Sequence, residues 1–331
     1  MADESVTIAR HLLMIIGITW YTAGMIGNIC NIYIFSKWTF TKNSTHDQRL
    51  ERKKSSTPLY LLTYSIGNLL VIIYPLLVRI TIDGYEYPIT KSNSIFICKL
   101  RFYTLHCANL VSLTCLCLAT LDQYLISSPK VYWRQWSPTQ RRAKQIIAAV
   151  VCFISLHGLP IIIYYDVDII GQCIITSHTY AYYYVLVILI FLFSIAPIVF
   201  LSIFGVLIFI QLRNMKRIRM TQKNYHGSMN VNQQTSRMLF LICIALILSS
   251  MPYGIDNIYN FMIIGKYAPQ SSIAFICRMI AIIIFYIHPV SSFYIFLFST
   301  PNFRMEIRKL IMNNQNGGHL VNNRVHVIMT T

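Results

Sequence analysis

The sequence predicts an all-α membrane protein: a bundle of seven transmembrane helices followed by a short amphipathic helix on the inner leaflet. Composition is the first reason. Of 331 residues 55% are hydrophobic and only 12% charged, whereas a water-soluble chain carries about a quarter charged residues. Arrangement is the second. The apolar residues come in long blocks rather than short strands or amphipathic stripes, and each block matches the roughly 20 residues a helix needs to span hydrocarbon. Charge is the third. The net charge of +17 is concentrated in the gaps between blocks, so membrane topology explains it better than nucleic-acid binding does.

The blocks fall at 11–35, 58–82, 95–126, 142–165, 181–211, 235–263 and 272–298. Lipid offers no partner for backbone N–H and C=O groups, so each must be a helix. Pro75, Pro160, Pro197, Pro252 and Pro289 lie inside blocks, where neighbouring helices and Ser/Thr hydroxyls satisfy the freed carbonyls. Residues 1–10 are short and include Asp3 and Glu4, with no small-residue cleavage site after the first block. That block is expected to insert and stay. The segments 40–56 and 213–236 are polar and loop-like. The tail 313–331 is rich in Asn and is expected to be disordered. Before it, basic residues alternate with Phe303, Met305, Ile307, Leu310 and Ile311, which suits a surface helix over 301–312. A frayed continuation of the last span is the alternative.

Orientation follows from Lys and Arg. One side of the membrane holds six from Lys37 to Lys54, five from Lys130 to Lys144, six from Arg213 to Arg237 and four from Arg304 onward, against seven on the other. The rich side is the cytoplasmic one. The N-terminus is therefore expected outside, the C-terminus inside, and the protein in the plasma membrane.

Motifs inside the blocks narrow the class. The first holds Gly27-Asn28. The third opens with Cys98 and ends in Asp122-Gln123-Tyr124. Cys173 lies in the loop after the fourth. The fifth has Pro197, the sixth Met251-Pro252-Tyr253, and the seventh His288-Pro289, followed by Ser299-Thr300-Pro301-Asn302-Phe303-Arg304. In this order the set resembles the rhodopsin-like G-protein-coupled receptors over roughly residues 20–310. The departures are equally specific. Gln123 replaces the arginine of Asp-Arg-Tyr, and Asn68 stands where a buried Asp is usual. Ser250 replaces an aromatic, and the fourth-span tryptophan is missing. His288 replaces the Asn of Asn-Pro-x-x-Tyr, with Ser292 at its tyrosine position and Tyr294 two residues later.

The resemblance implies a disulfide between Cys98 and Cys173 at the outer side, where such bonds persist. Two free thiols, or pairing of one with Cys277, are the alternatives. It implies an activation switch of Asp122, Gln123, Tyr124, Pro252, His288, Pro289 and Tyr294. Gln123 cannot form the ion pair that clamps the sixth span at rest, so either basal activity is higher or coupling is impaired. Asp122 could also be merely interfacial and solvated. Asn28, Asn68 and Ser112 are expected in an interior polar cluster with His288. With neutral Asn68 it lacks the carboxylate that hard cations prefer, so no sodium effect on ligand affinity is expected.

For the ligand, the residues argue mostly by exclusion. Leu105 stands where amine receptors of this family carry an Asp, and residues 272–298 contain no Lys for a retinal Schiff base. Leu105, Asp166, Asp168 and Tyr253 are the pocket candidates. Asp83, Glu86, Asp166, Asp168 and the tyrosines from Tyr180 to Tyr184 suggest an acidic, aromatic mouth suited to a peptide with basic or aromatic side chains. A membrane-interface aromatic belt competes as the reading of Tyr182, Tyr183 and Tyr184. The expected partners are an extracellular ligand, a heterotrimeric G protein and membrane lipid, with no nucleic acid, no cofactor and no metal. No catalytic constellation points to an enzyme. The rivals are a receptor-shaped protein that does not signal and, further off, a transporter or channel, which would need charges lining a path through mid-membrane.

Overall fold

A chain in hydrocarbon must close its backbone hydrogen bonds within each segment, and the apolar blocks do so as helices. The computed structural model describes residues 2–40, 56–85, 91–128, 130–167, 173–220, 228–264, 272–310 and 312. Among them seven helices are long and apolar enough to cross a membrane. These are α1 (Val6–Phe40), α2 (Thr57–Gly84), α3 (Ile95–Ser127), α4 (Gln140–Tyr164), α5 (His178–Gln211), α6 (Met238–Tyr259) and α7 (Ile273–Ser299). An eighth, α8, covers 301–310. The expected disordered tail 313–331 lies outside the described residues. Helix continues to both sides of the first apolar block, from Ala2 to Phe40, because helical bonding does not stop where the apolar run does.

The prolines shape three of the helices. A proline gives no N–H to the preceding turn and crowds its carbonyl. In α2, Pro75 sits inside a wide π turn over Ile72–Leu76. In α5 a longer π stretch, Tyr184–Ile195, runs up to Pro197, and the Ser194 hydroxyl donates to the Leu189 carbonyl five residues back at 3.3 Å. In α7 the helix breaks between Phe285 and Ile287, just before Pro289. There the Trp20 indole of α1 donates to the Ile283 carbonyl at 3.3 Å, giving a carbonyl at the break a partner from another helix.

The bundle is inverted relative to a soluble protein. Large apolar side chains such as Phe153, Leu248, Ile273 and Phe298 are exposed, where lipid would cover them, while Asn28, Asn31, Asn68, His106, Ser112, His288 and Ser292 are buried. Intramembrane polar groups face the bundle interior in this way because only other helices can satisfy them. α2 and α3 pack closely at Gly67. A Cβ there would stand 2.2 Å from Ser112 Oγ and 2.8 Å from the Ala108 carbonyl oxygen, so glycine lets the backbones meet, as small residues do between membrane helices.

At one end α4 turns into a two-stranded antiparallel hairpin, β1 (Tyr165–Val167) and β2 (Cys173–Ile175), with Asp166 opposite Ile174. Tyr165 anchors it, stacked on Phe102 at 4.4 Å and edge-on to Tyr184 at 5.5 Å. At the other end α8 docks through Phe303, which is buried among Phe35, Trp38, Phe293 and Phe296. Glu306 bridges Lys37 of α1 at 2.6 Å and Lys309 at 3.1 Å. The hydrogen bond from Lys37 holds the Glu306 carboxyl below its usual range.

Candidate functional site

The site has three levels, and the first is the α8 end. α3 closes with Asp122-Gln123-Tyr124. Asp122 is buried, and its carboxylate accepts hydrogen bonds from the Thr57 hydroxyl and the Ser137 hydroxyl, both at 2.7 Å. Thr57 opens α2, and Ser137 follows a short helix, Val131–Trp136. The Ser56 hydroxyl adds a bond to the Pro138 carbonyl at 2.8 Å. Asp122 thus ties α3, the start of α2 and the segment leading to α4 into one knot. This excludes the solvated reading of Asp122. Gln123 is also inside, 2% exposed. Tyr124 packs edge-on to Phe204 of α5 at 5.4 Å.

The middle level is polar. Asn28 Nδ2 donates to the Pro289 carbonyl at 3.0 Å and to the Gly24 carbonyl at 2.9 Å, so α1 binds α7 beside its break. Asn31 Nδ2 reaches the Ser292 hydroxyl at 3.4 Å. Tyr64 joins the other members: its hydroxyl shares a hydrogen bond with His288 Nε2 at 3.4 Å. Its carbonyl accepts from the Ser112 hydroxyl at 3.0 Å. Asn68 lies one turn further along α2, 1% exposed. Among the described residues Asn28 Oδ1, Asn68 Nδ2 and His288 Nδ1 have no hydrogen-bond partner, and buried water ordinarily serves such groups.

The disulfide end is the third level. Cys98 and Cys173 are bonded, with Cα atoms 5.9 Å apart, and Cys277 is free. The bond fixes β2 to the start of α3. Leu105 and Tyr253 join one apolar cluster with Met279, Ile282, Phe285 and Tyr286, Tyr253 lying 4.6 Å from Phe285. Asp166 Oδ1 accepts from the Val167 N–H at 2.8 Å. Asp168 and Glu86 lie outside the described residues.

Two expectations change. Tyr294 lies on the exposed side of α7, 36% exposed, with an edge-on contact to its neighbour Phe293. Two residues rotate a helix by about 200°, so with Ser292 inward Tyr294 must point away. The acidic mouth also loses a member. Asp83 is paired with Arg79, its neighbour one turn earlier, and lies 3.6 Å from Arg101 of α3. The tyrosine run divides by helical phase, Tyr180 and Tyr184 turning inward while Tyr182 and Tyr183 are exposed.

Sequence reasoning missed this charge cluster, although the four-residue spacing of Arg79 and Asp83 is visible in the chain. It also missed a relay linking α3, α4 and α5. His106 Nε2 and His157 Nδ1 are hydrogen-bonded at 3.1 Å, and His157 Nε2 pairs with the Tyr183 hydroxyl at 2.8 Å. No local pattern announces contacts between residues so far apart in the chain.

Seven membrane-crossing helices, a disulfide holding a hairpin over α3 and a proline-broken α7 tied to α1 by an asparagine define a seven-helix membrane receptor. Residues 45–292 match the family described as 7 transmembrane receptor (rhodopsin family), and the chain belongs to that family. No curated protein matches it.

Proposed function

We propose that the protein is a plasma-membrane receptor with its disulfide end outside and its α8 end in the cytoplasm. An extracellular ligand bound at the first would drive activation of a heterotrimeric G protein at the second. Rhodopsin-family membership supports an extracellular ligand and a G-protein partner in general. The Lys/Arg excess at the α8 end supports the orientation. The observation that carries the mechanism is the bond from Asn28 to the Pro289 carbonyl, 3.0 Å long. In this reading it belongs to a polar hinge between the disulfide end and the Asp122 knot. A ligand that prefers the form with α6 swung outward shifts the population toward it.

Asp122, Gln123 and Tyr124 form the inner switch in this reading, with Pro252 and Pro289 as hinges and His288 in the polar core. Gln123 carries no charge, so the resting state lacks the family's ionic clamp and basal activity is raised. A peptide remains the proposed ligand. Of the basic or aromatic side chains suited to it, Asp83 does not favour the basic ones, because it is engaged by two arginines.

A peptide-library screen on cells expressing the chain with a promiscuous G protein tests the reading. A peptide agonist establishes ligand class and signalling together. Peptides that bind without raising G-protein activity would instead favour a receptor that does not signal. Gln123→Arg is expected to lower basal signalling several-fold; unchanged basal and stimulated activity would remove this position from the switch.

A further inference from the structure

The segment 128–139 joins two spans at the α8 end: α3 closes at Ser127 and α4 opens at Gln140. Chain connectivity therefore holds this segment at the membrane surface. Its centre is the short helix Val131–Trp136, none of whose residues is buried. Tyr132, Trp133 and Trp136 are 60%, 42% and 64% exposed. Each residue turns a helix by about 100°, so these three fall on one side and Arg134 on the other. The rings group accordingly. Tyr132 lies edge-on to Trp133 at 5.6 Å and 6.1 Å from Trp136.

An uncovered aromatic patch of this kind marks a contact surface, and the charge around it says what the contact is. Lys130, Arg134, Arg141 and Arg142 are exposed, and residues 123–165 contain no Asp or Glu. Counted over the whole chain, the acids of the α8 end are Asp47, Glu51, Asp122 and Glu306, far fewer than its Lys and Arg. Asp122 accepts from Thr57 and Ser137, and Glu306 is paired with Lys37 and Lys309. Trp and Tyr settle at membrane interfaces. The cytoplasmic leaflet carries negative lipid and draws basic segments.

We propose that Tyr132, Trp133 and Trp136 seat in the headgroup layer of the inner leaflet, with Lys130, Arg134, Arg141 and Arg142 on the phosphates of anionic lipids. The inference rests on the orientation in the receptor reading and adds a lipid partner for the inner surface. The leaflet is favoured over a protein as occupant because it already surrounds both spans that hold the segment. The contact also braces the Asp122 knot. Trp136 is followed directly by Ser137, whose hydroxyl bonds Asp122 at 2.7 Å, so a seated indole fixes the neighbour of that donor.

The test uses the full chain, without ligand or G protein, in nanodiscs of phosphatidylcholine with or without phosphatidylserine. Trp133→Phe with Trp136→Phe keeps an apolar anchor and removes two of the four indoles. The emission lost in that variant belongs to Trp133 and Trp136. Lipids brominated on the upper acyl chain should quench that emission, and brominated phosphatidylserine should quench it more than brominated phosphatidylcholine. Arg134→Gln with Arg141→Gln and Arg142→Gln should remove this preference, and high salt should shrink it. The parent should melt at a higher temperature with phosphatidylserine present, and Trp133→Gln with Trp136→Gln should lose most of that gain. Emission quenched by aqueous iodide and not by brominated lipid would overturn the proposal, as would equal quenching by the two lipids. Iodide access that closes only when a G protein is added would assign the face to that protein instead. A melting temperature indifferent to phosphatidylserine would overturn the bracing of the knot. An epitope on the C-terminal tail reached by antibody on intact cells would overturn the orientation and with it the inner leaflet; absent lipid quenching with the tail inside overturns the lipid contact alone.

Discussion

Single residues decide which parts of the proposed switch are fixed and which are free to move. Asp122 is fixed. Its two hydroxyl donors come from separate segments, and hydrogen bonds to a charged group contribute about 1.5–3 kcal/mol each. Asp122→Ala is therefore expected to lower stability by roughly 2–4 kcal/mol. Thr57→Val and Ser137→Ala should each cost less. A double-mutant cycle read by thermal unfolding should show each coupled to Asp122, and additive losses would contradict the knot. Asn68 is neutral, so adding sodium is expected to leave agonist affinity unchanged; a clear titration would show that the polar core holds the cation without a carboxylate. The roles at this scale were partly legible from the chain. Asp122 was legible as a motif residue at the end of the third span, but its partners, Thr57 and Ser137, lie 65 and 15 residues away and carry no signal of their own. The placement of Tyr294 on the exposed side of α7 was not legible, because a motif is read by residue type whereas helical phase decides which side chain faces the bundle. Arg79 and Arg101 escaped notice for a related reason: each reads as an interfacial cation until α2 and α3 are laid side by side.

Helix packing sets the next scale. The α2–α3 contact depends on the missing side chain at Gly67. Gly67→Ala puts a methyl group 2.8 Å from the Ala108 carbonyl oxygen, where a backbone atom must shift. Overpacking of this kind costs about 1–3 kcal/mol, and a fall in melting temperature is expected. Unchanged melting would mean that the two helices slide apart at no cost. α8 offers a test by pH. The folded pKa of Glu306 is depressed by Lys37, so its stabilising contribution is present above the ordinary carboxylate range and is lost as pH falls through the depressed value. Hydrogen exchange over 301–310 should accelerate in that acidic window, and Glu306→Gln should abolish the step. The helices themselves were the most legible feature, because apolar length is a local property. The breaks were less so. A proline marks a weak point, but the chain does not announce that the helix widens at Pro75 and before Pro197, breaks before Pro289 and runs on through Pro160 and Pro252.

The whole molecule joins two ends through a polar middle. The Cys98–Cys173 bond spans 75 residues and restricts the unfolded chain by about 2–4 kcal/mol in the loop-entropy account. Cys173→Ser should lower the melting temperature and weaken ligand binding, because the hairpin is no longer held over α3. Fold and family were legible at this scale from block length, charge and motif order. The character of the ligand end was not, because counting acids in loops ignores which arginine lies across from them. The central claim is that this bundle passes a signal to a G protein despite Gln123. Nucleotide exchange on purified heterotrimeric G proteins, with the receptor alone in nanodiscs, tests it most directly. Exchange above that of empty nanodiscs, reduced by Gln123→Arg, is the predicted result. Exchange equal to empty nanodiscs for every G-protein class, both without ligand and with a ligand shown to bind, would contradict it.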